Sequence, residues 1–365
     1  MTKRTHGRDE PIRIDEAYDS DAESIEALFG NPGEGFFVPR YQREYTWEEE
    51  NITQLFDDVV TRIRELASAN GDSAITFLGT IILTPLSRLS PVEVADEGRA
   101  RPAGVQIVVD GQQRLSTIAL LAIQLQEKIR SLSQLLPGSE PHIHLRNHSQ
   151  DLIHKLANLY SLEGRTGAVP QRKPKIIRED YDLWTFDGDD KSYYKSPVAL
   201  YVATYIRTRD LVKAKDALDS VSGTRVRNNV DVINEYLEAI GNIHAKNITP
   251  IVDFPPLAVS VSKRMLELVL GFYDPRLEDF LSAAPDVPSQ HPDYIAASLY
   301  NLFVFAYYVL ERCGVNRLEP LHEDWGFDMF QALNATGTPL TAMETFRSQV
   351  IQAETSAGFS WQDTP

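Results

Sequence analysis

Val105 to Val109 reads VQIVV, a β-rich run, and it passes through Asp110 and Gly111 straight into Leu115–Leu136, a long segment with one apolar face. A strand that ends in an acid, turns at glycine and enters a helix places a sheet beside a helix layer. The neighbouring sequence agrees. Phe77–Leu83 (FLGTIIL) is a second short strand, and Phe36–Pro39 a third that proline ends. Thr46–Ser68 reads as a helix: Thr46 caps it, Glu49 completes a capping box, and Ile52, Leu55, Phe56, Val59, Ile63 and Leu66 recur at helical spacing. Asp21–Phe29 reads as a short helix capped by Asp21, and the proline-containing stretch Thr84–Gly104 as a surface excursion between strands. The expected fold class is α+β.

Downstream, the chain reads as mostly helical. His148–Tyr160, Pro197–Ser220, Val230–Ile243, Asp293–Cys313 and Phe327–Leu333 are the expected helices, and Ala258–Met265 fits either a lone strand or a helix start. Pro137-Gly138 and Pro141 break the pattern between Gln134 and His142. The expected domain plan is a flexible arm over 1–20, a sheet-and-helix core over 21–136 and a mainly helical domain over 142–365.

Composition bounds the function classes. With 36 Lys and Arg against 52 Asp and Glu, the net charge is −16, which disfavours coating nucleic acid by charge alone. The one cysteine, Cys313, excludes an internal disulfide framework and a cysteine-built metal cluster, and it reads as an inert thiol in an apolar helix. The start of the chain is polar. Its most apolar stretch, Ser298–Cys313, is interrupted by Asn301 and Glu311 and falls short of the ~20 residues that span a bilayer. The expectation is a soluble, cytoplasmic protein without a membrane partner. Locally the balance reverses: Arg165, Arg172, Lys173, Lys175 and Arg178 lie within one stretch without an acid. Arg172, Lys173 and Lys175 are therefore candidate DNA contacts, and a solvated face explains the same charges equally well.

Three blocks carry residue types suited to phosphate chemistry. In Asp110-Gly111-Gln112-Gln113-Arg114, a helix start offers free N–H groups to a phosphate, Arg114 adds a forked donor, Asp110 can hold Mg2+, and a glutamine can orient an attacking water. The same spacing also fits a plain strand–turn–helix junction. Pro39-Arg40-Tyr41-Gln42-Arg43-Glu44-Tyr45-Thr46-Trp47 concentrates guanidinium and aromatic groups, which grip phosphate oxygens and present apolar faces. A helix-entry loop that sends its aromatics into the core is the alternative. Asn334, Thr336 and Gly337 lie in a polar loop, Asn334–Leu340, able to offer N–H and hydroxyl groups to an anion or simply to connect two helices.

In this order the blocks are similar to the DGQQR-motif NTPase domain family, found in GmrSD-type modification-dependent restriction enzymes and in SspE-type effectors that sense DNA phosphorothioate in antiphage defence. The family's I-P-x-Y-Q-R-x-Y-x-W is met by Val38–Trp47, its F-L-G-x-I by Phe77–Ile81, its D-G-Q-Q-R-L by Asp110–Leu115 and its F-x-x-x-N-x-x-G-x-P-L by Phe330–Leu340. The resemblance implies a ParB/sulfiredoxin-like small mixed sheet in the first part, followed by a mostly α-helical domain that returns a nucleotide-site loop near 334–340. It implies hydrolysis of a nucleoside triphosphate, with GTP preferred and Mg2+ as cofactor, coupled to sensing modified DNA.

Carried onto this chain, the resemblance gives Asp110, Gln112, Gln113 and Arg114 to catalysis, with Asp110 also the metal ligand. Gly111, Arg40, Arg43, Asn334, Thr336 and Gly337 fall to nucleotide binding. Pro39, Tyr41 and Gln42 fall to modification sensing, although Tyr41, Gln42 and Arg43 suit the nucleotide pocket as well. Effectors of this kind carry a further HNH-type nuclease domain that nothing in this chain resembles, so the expected nuclease partner lies outside it, as in a truncated or split protein. The rival reading is a DNA- or protein-binding module that uses the same fold without turnover.

Other clusters weigh less. His142, His144, His148 and His154 lack a surrounding ligand set. His322-Glu323-Asp324 fits a helix start, and Asp187-Gly188-Asp189-Asp190 lacks the spacing and final glutamate of a calcium loop.

Overall fold

The computed structural model describes residues 18–68, 73–86, 102–166, 169–185, 193–243, 257, 261–284 and 287–320. The first part runs β1 (Tyr18–Ser24), α1 (Ile25–Phe29), β2 (Glu34–Val38), α2 (Glu49–Ala67), β3 (Thr76–Pro85), β4 (Gly104–Asp110) and α3 (Gln112–Leu135). It continues with α4 (His142–Tyr160), β5 (Ser161–Thr166), β6 (Val169–Pro174), β7 (Ile176–Arg178), α5 (Pro197–Thr208), α6 (Leu211–Ala217) and α7 (Thr224–Gly241). Then come α8 (Lys263–Leu270), α9 (Pro275–Ala283), α10 (Pro292–Tyr307), a π-helical turn over Tyr308–Arg312 and β8 (Cys313–Pro320).

The six-stranded sheet has the order β1-β8-β3-β4-β2-β7, and β5 pairs with β6 in a separate hairpin. β2 is parallel to both β4 and β7, so the three strands deliver their carboxyl ends to one edge of the molecule. β3 runs antiparallel to β4 and parallel to β8, which pairs antiparallel with β1. The mixed α+β class expected from the sequence is what the chain forms. The sheet takes β7 and β8 from beyond residue 142, so it draws on both regions that the sequence separates.

The core forms around α3, which packs against α4, α7 and α10. Most of α3 from Leu115 to Ile129 is therefore buried around much of its circumference, not along one stripe. Across this core Phe56 of α2 stacks on Tyr236 at 4.6 Å and on Phe305 at 5.4 Å between ring centres. Pro292–Arg312 is long and apolar enough to cross a membrane by length and composition, but here it is a core helix with Leu299, Leu302, Phe303 and Val304 fully buried.

Several local expectations need correction. α1 is capped by the Ser24 hydroxyl, which accepts the Ala27 N–H, because Asp21 is paired opposite Arg317 in the sheet. α2 begins three residues after Thr46: Glu48 and Asn51 form the reciprocal capping pair, while the Thr46 N–H donates to Gln113. The expected helix Pro197–Ser220 breaks at Arg209, whose φ is 52°, and Asp210 caps a new helix by accepting from the Val212 and Lys213 N–H groups. The basic stretch around Arg172 is the β5–β6 hairpin with β7, strands within a region expected to be mostly helical. Cys313 opens β8 instead of closing a helix, and burial pushes its thiol up to about 12. Ala258–Met265 resolves at its end into α8, capped by Ser262. The arm over residues 1–17, the tip of the β3–β4 excursion, Asp187–Asp190, His322–Asp324, Phe327–Leu333 and the loop with Asn334, Thr336 and Gly337 lie outside the described residues.

Candidate functional site

The carboxyl ends of parallel strands are a usual place for a ligand site in mixed sheets, because loops and helix starts gather there. Asp110 ends β4 and Gly111 turns the chain with φ of 96° before α3 begins. A Cβ on Gly111 would stand 2.8 Å from Cγ1 of Ile81, so both the backbone angle and the close packing require glycine. Burial raises the Asp110 carboxyl above the ordinary aspartate range. The Gly111 N–H and the guanidinium groups of Arg114 and Arg43 act against that rise. An acid from β4, an arginine from the first turn of α3 and an arginine from the loop after β2 thus share one electrostatic site.

Arg114 is fixed by its neighbours. Its Nη1 donates to the Thr80 carbonyl at 2.9 Å, and its guanidinium lies over Gly79, where an added Cβ would meet Cζ at 3.1 Å. Gly79, with φ of 103°, sits at the register shift between β3 and β8 and leaves the guanidinium its space.

The segment Pro39–Trp47 follows β2 and lies across the start of α3. Its turn is closed by the Gln42 N–H on the Pro39 carbonyl at 3.0 Å. The Gln42 side chain is buried and donates to the Val109 carbonyl, at the end of β4. Gln112 donates to the Arg43 carbonyl. Gln113 donates to the Glu44 carbonyl at 2.8 Å, and its Oε1 accepts from the N–H groups of Thr46 at 2.8 Å and Trp47 at 3.3 Å. Pro39 is buried. Burial, with the Glu179 carboxylate beside it, raises the Tyr41 hydroxyl above the ordinary tyrosine range. The Arg40 N–H donates to Glu179 at 2.8 Å, while the Arg43 side chain is exposed.

The structure therefore brings together Asp110, Gly111, Gln112, Gln113, Arg114, Gln42 and Arg43, with Pro39, Arg40 and Tyr41 on the adjoining turn. The three basic residues chosen as DNA contacts do not join them. Lys175 is 1% exposed, and its Nζ donates to the carbonyls of Phe29 at 2.7 Å and Asn31 at 2.8 Å, near the start of β2. Burial pushes its pKa down to about 8. Lys173 is buried too, and Arg172 pairs with Glu163 at 2.7 Å. A β-hairpin turns alternate side chains inward, which a reading based on charge alone cannot detect.

Two residues that no motif singled out join the site. Arg178, the last residue of β7, donates through its guanidinium to the carbonyls of Gln42 and Arg43. Asn229 of α7 donates to the Trp47 carbonyl at 2.8 Å and to the Tyr45 hydroxyl at 3.0 Å. In the sequence Arg178 stands out only as part of a basic run, and nothing near Asn229 marks it.

Among the described residues no three His, Cys, Asp or Glu side chains group as a metal site. His142, His144 and His148 pack separately on the rings of Phe280, Phe272 and Phe303. Mg2+ does not require such a group: it is commonly held by one carboxylate together with substrate phosphates, and Asp110 beside the two arginines suits that arrangement.

Residues 25–351 match the family model for the N-terminal domain of GmrSD restriction endonuclease. No curated protein matches the chain.

Proposed function

The chain belongs to the GmrSD restriction endonuclease N-terminal domain family, and from that membership we propose that it is the nucleoside-triphosphatase module of a restriction-like antiphage system. GTP is the preferred nucleotide in this reading, modified DNA the trigger, and an HNH-type nuclease domain outside this chain the partner it controls. One observation carries it: Asp110, Arg114 and Arg43 converge electrostatically beside the first turn of a long helix. Free N–H groups and the positive end of the helix dipole favour anions there.

Each residue has a task that its surroundings suit. Arg43 is exposed and reaches the site from a loop, as a group that closes on the outer phosphate must. Arg114 is anchored on Thr80 and supplies fixed positive charge where negative charge grows during phosphoryl transfer. Mg2+ would be held by Asp110 and the phosphates and would neutralise the latter. The glutamines need a different role from the one their residue type suggests. Gln113 already serves three main-chain partners and Gln112 is donated to Arg43, so both hold the loop that carries Arg43. Tyr41, only partly buried, offers an apolar wall beside this loop. Sulfur in place of a phosphate oxygen is less well hydrated, so such a wall favours phosphorothioate.

Phosphate release from GTP is the direct test. Wild type should turn over, and Asp110→Asn or Arg114→Ala should lower the rate by roughly 100-fold or more. The occupied Gln113 amide also suits a second reading, a non-catalytic binding module; wild type and both variants would then release phosphate equally, at background. Binding of sulfur-marked and plain DNA of one sequence tests the trigger. Tighter binding of the marked strand, weakened by Tyr41→Ala, is expected, and equal affinities would remove phosphorothioate from the proposal.

A further inference from the structure

We infer that Arg178 and Asn229 are positioning residues for Arg43, and that the segment Gln42–Trp47 is a clasp through which the chain beyond residue 142 acts on the candidate nucleotide site. The functional half of this inference rests on the reading above, while the clasp itself rests on contacts alone.

Most fastenings of this segment use its main chain, and the Gln42 amide on the Val109 carbonyl and the Tyr45 hydroxyl with Thr117 and Asn229 add side-chain ties. The carbonyls of Gln42, Arg43, Glu44 and Trp47, and the N–H groups of Thr46 and Trp47, are each taken by a side chain from another element. Main-chain groups exist at every residue whatever the side chain, so this pattern holds the path of the loop and leaves the Arg43 side chain exposed to meet a ligand. The holders come from both halves of the chain. Gln112 and Gln113 belong to the helix that starts the site, and Arg178 and Asn229 to β7 and α7. Arg178 and Gln112 meet on the same oxygen, the Arg43 carbonyl.

Arg178 is itself secured. Its N–H donates to Asp182 at 2.8 Å, and the same carboxylate accepts the Ser196 hydroxyl at 2.6 Å and the N–H groups of Lys195 and Ser196, just before α5. β7 also lies in register with β2, Val38 opposite Arg178, so the guanidinium arrives at the strand end from which the clasp departs. A shift of α5 or α7 would therefore reach Arg43 through Arg178 or Asn229. Arginine is required at 178 because two carbonyls must be met by one planar fork, which a lysine ammonium on a flexible stem does not reproduce.

Amide hydrogen exchange and GTP hydrolysis on the full chain, for wild type, Arg178→Lys and Asn229→Ala, test both halves. Faster exchange over residues 42–47 is expected in each variant without nucleotide. A loss of roughly 10- to 100-fold in kcat/KM should accompany it, as misplacement of a group at about 1 Å can bring. The loss should fall on kcat more than on KM, with thermal unfolding nearly unchanged in Asn229→Ala. Unchanged exchange over 42–47 in both variants overturns the clasp. Faster exchange with wild-type kcat/KM overturns the positioning role. If wild type neither binds nor hydrolyses GTP while exchange still responds, the nucleotide reading has failed and the clasp has not.

Discussion

At the scale of single residues, a position's type says what a side chain can do, and its neighbours decide which of those things it does. Lys175 and Arg114 are both cations next to a β-strand. Arg114 lies at the site, whereas Lys175 spends its ammonium on two carbonyls beside the end of α1. Its pKa falls from 10.5 to about 8 because burial disfavours the charge. Below pH 8 the lysine is protonated both folded and unfolded. Above it the folded protein releases its proton first, so the unfolded chain binds more protons and stability from this residue rises with pH. Lys175 should therefore contribute a gain of about 1 kcal/mol between pH 8 and 9 in chemical denaturation, partly offset in the same window by Cys313, whose thiol ionises more readily in the unfolded chain than when buried, so the comparison with the lysine variant isolates it. The gain should vanish in Lys175→Met. If the variant keeps the wild-type pH slope, the buried ammonium is not its origin.

At the scale of elements, what the sequence reveals depends on how locally an element is determined. α2 was legible because its apolar residues repeat at 3.6 and only one face is buried; its start was misplaced because the Thr46 N–H is claimed by Gln113, a partner 67 positions away. The Asp110-Gly111 turn into α3 was legible for a comparable reason: a strand end, a left-handed glycine and a helix start are all local. β1, β5, β6, β7 and β8 are not legible as strands. β1 is acidic and mostly exposed, and β7 has three residues, so neither carries the alternation that marks a half-buried strand. They exist because another strand is there to pair with, β8 for β1 and β2 for β7. The site divides along the same line. Asp110, Arg114 and Arg43 lie in recognisable motifs, but Arg178 and Asn229 become part of it only when β7 and α7 arrive.

At the scale of the whole molecule, the prolines between α3 and α4 mark a bend in the chain and not an edge of the sheet. β8 is inserted between β1 and β3, and β7 covers the open side of β2. Without the residues after 141, β1 loses its partner, β3 and β2 both become sheet edges, and α3 loses α4, α7 and α10 from around its apolar surface. Unpaired edges and a helix apolar on several sides favour association over folding. A fragment of residues 1–141 is therefore expected to lack a cooperative unfolding transition, to bind a hydrophobic dye and to aggregate, while the full chain unfolds cooperatively. Circular dichroism through a urea titration decides it. A fragment that unfolds in one sharp transition, soluble and monomeric, would mean that the first 136 residues form their own core and that β7 and β8 only decorate it. The clasp would then have to hold without Arg178 and Asn229, and exchange over 42–47 in that fragment would show whether it does.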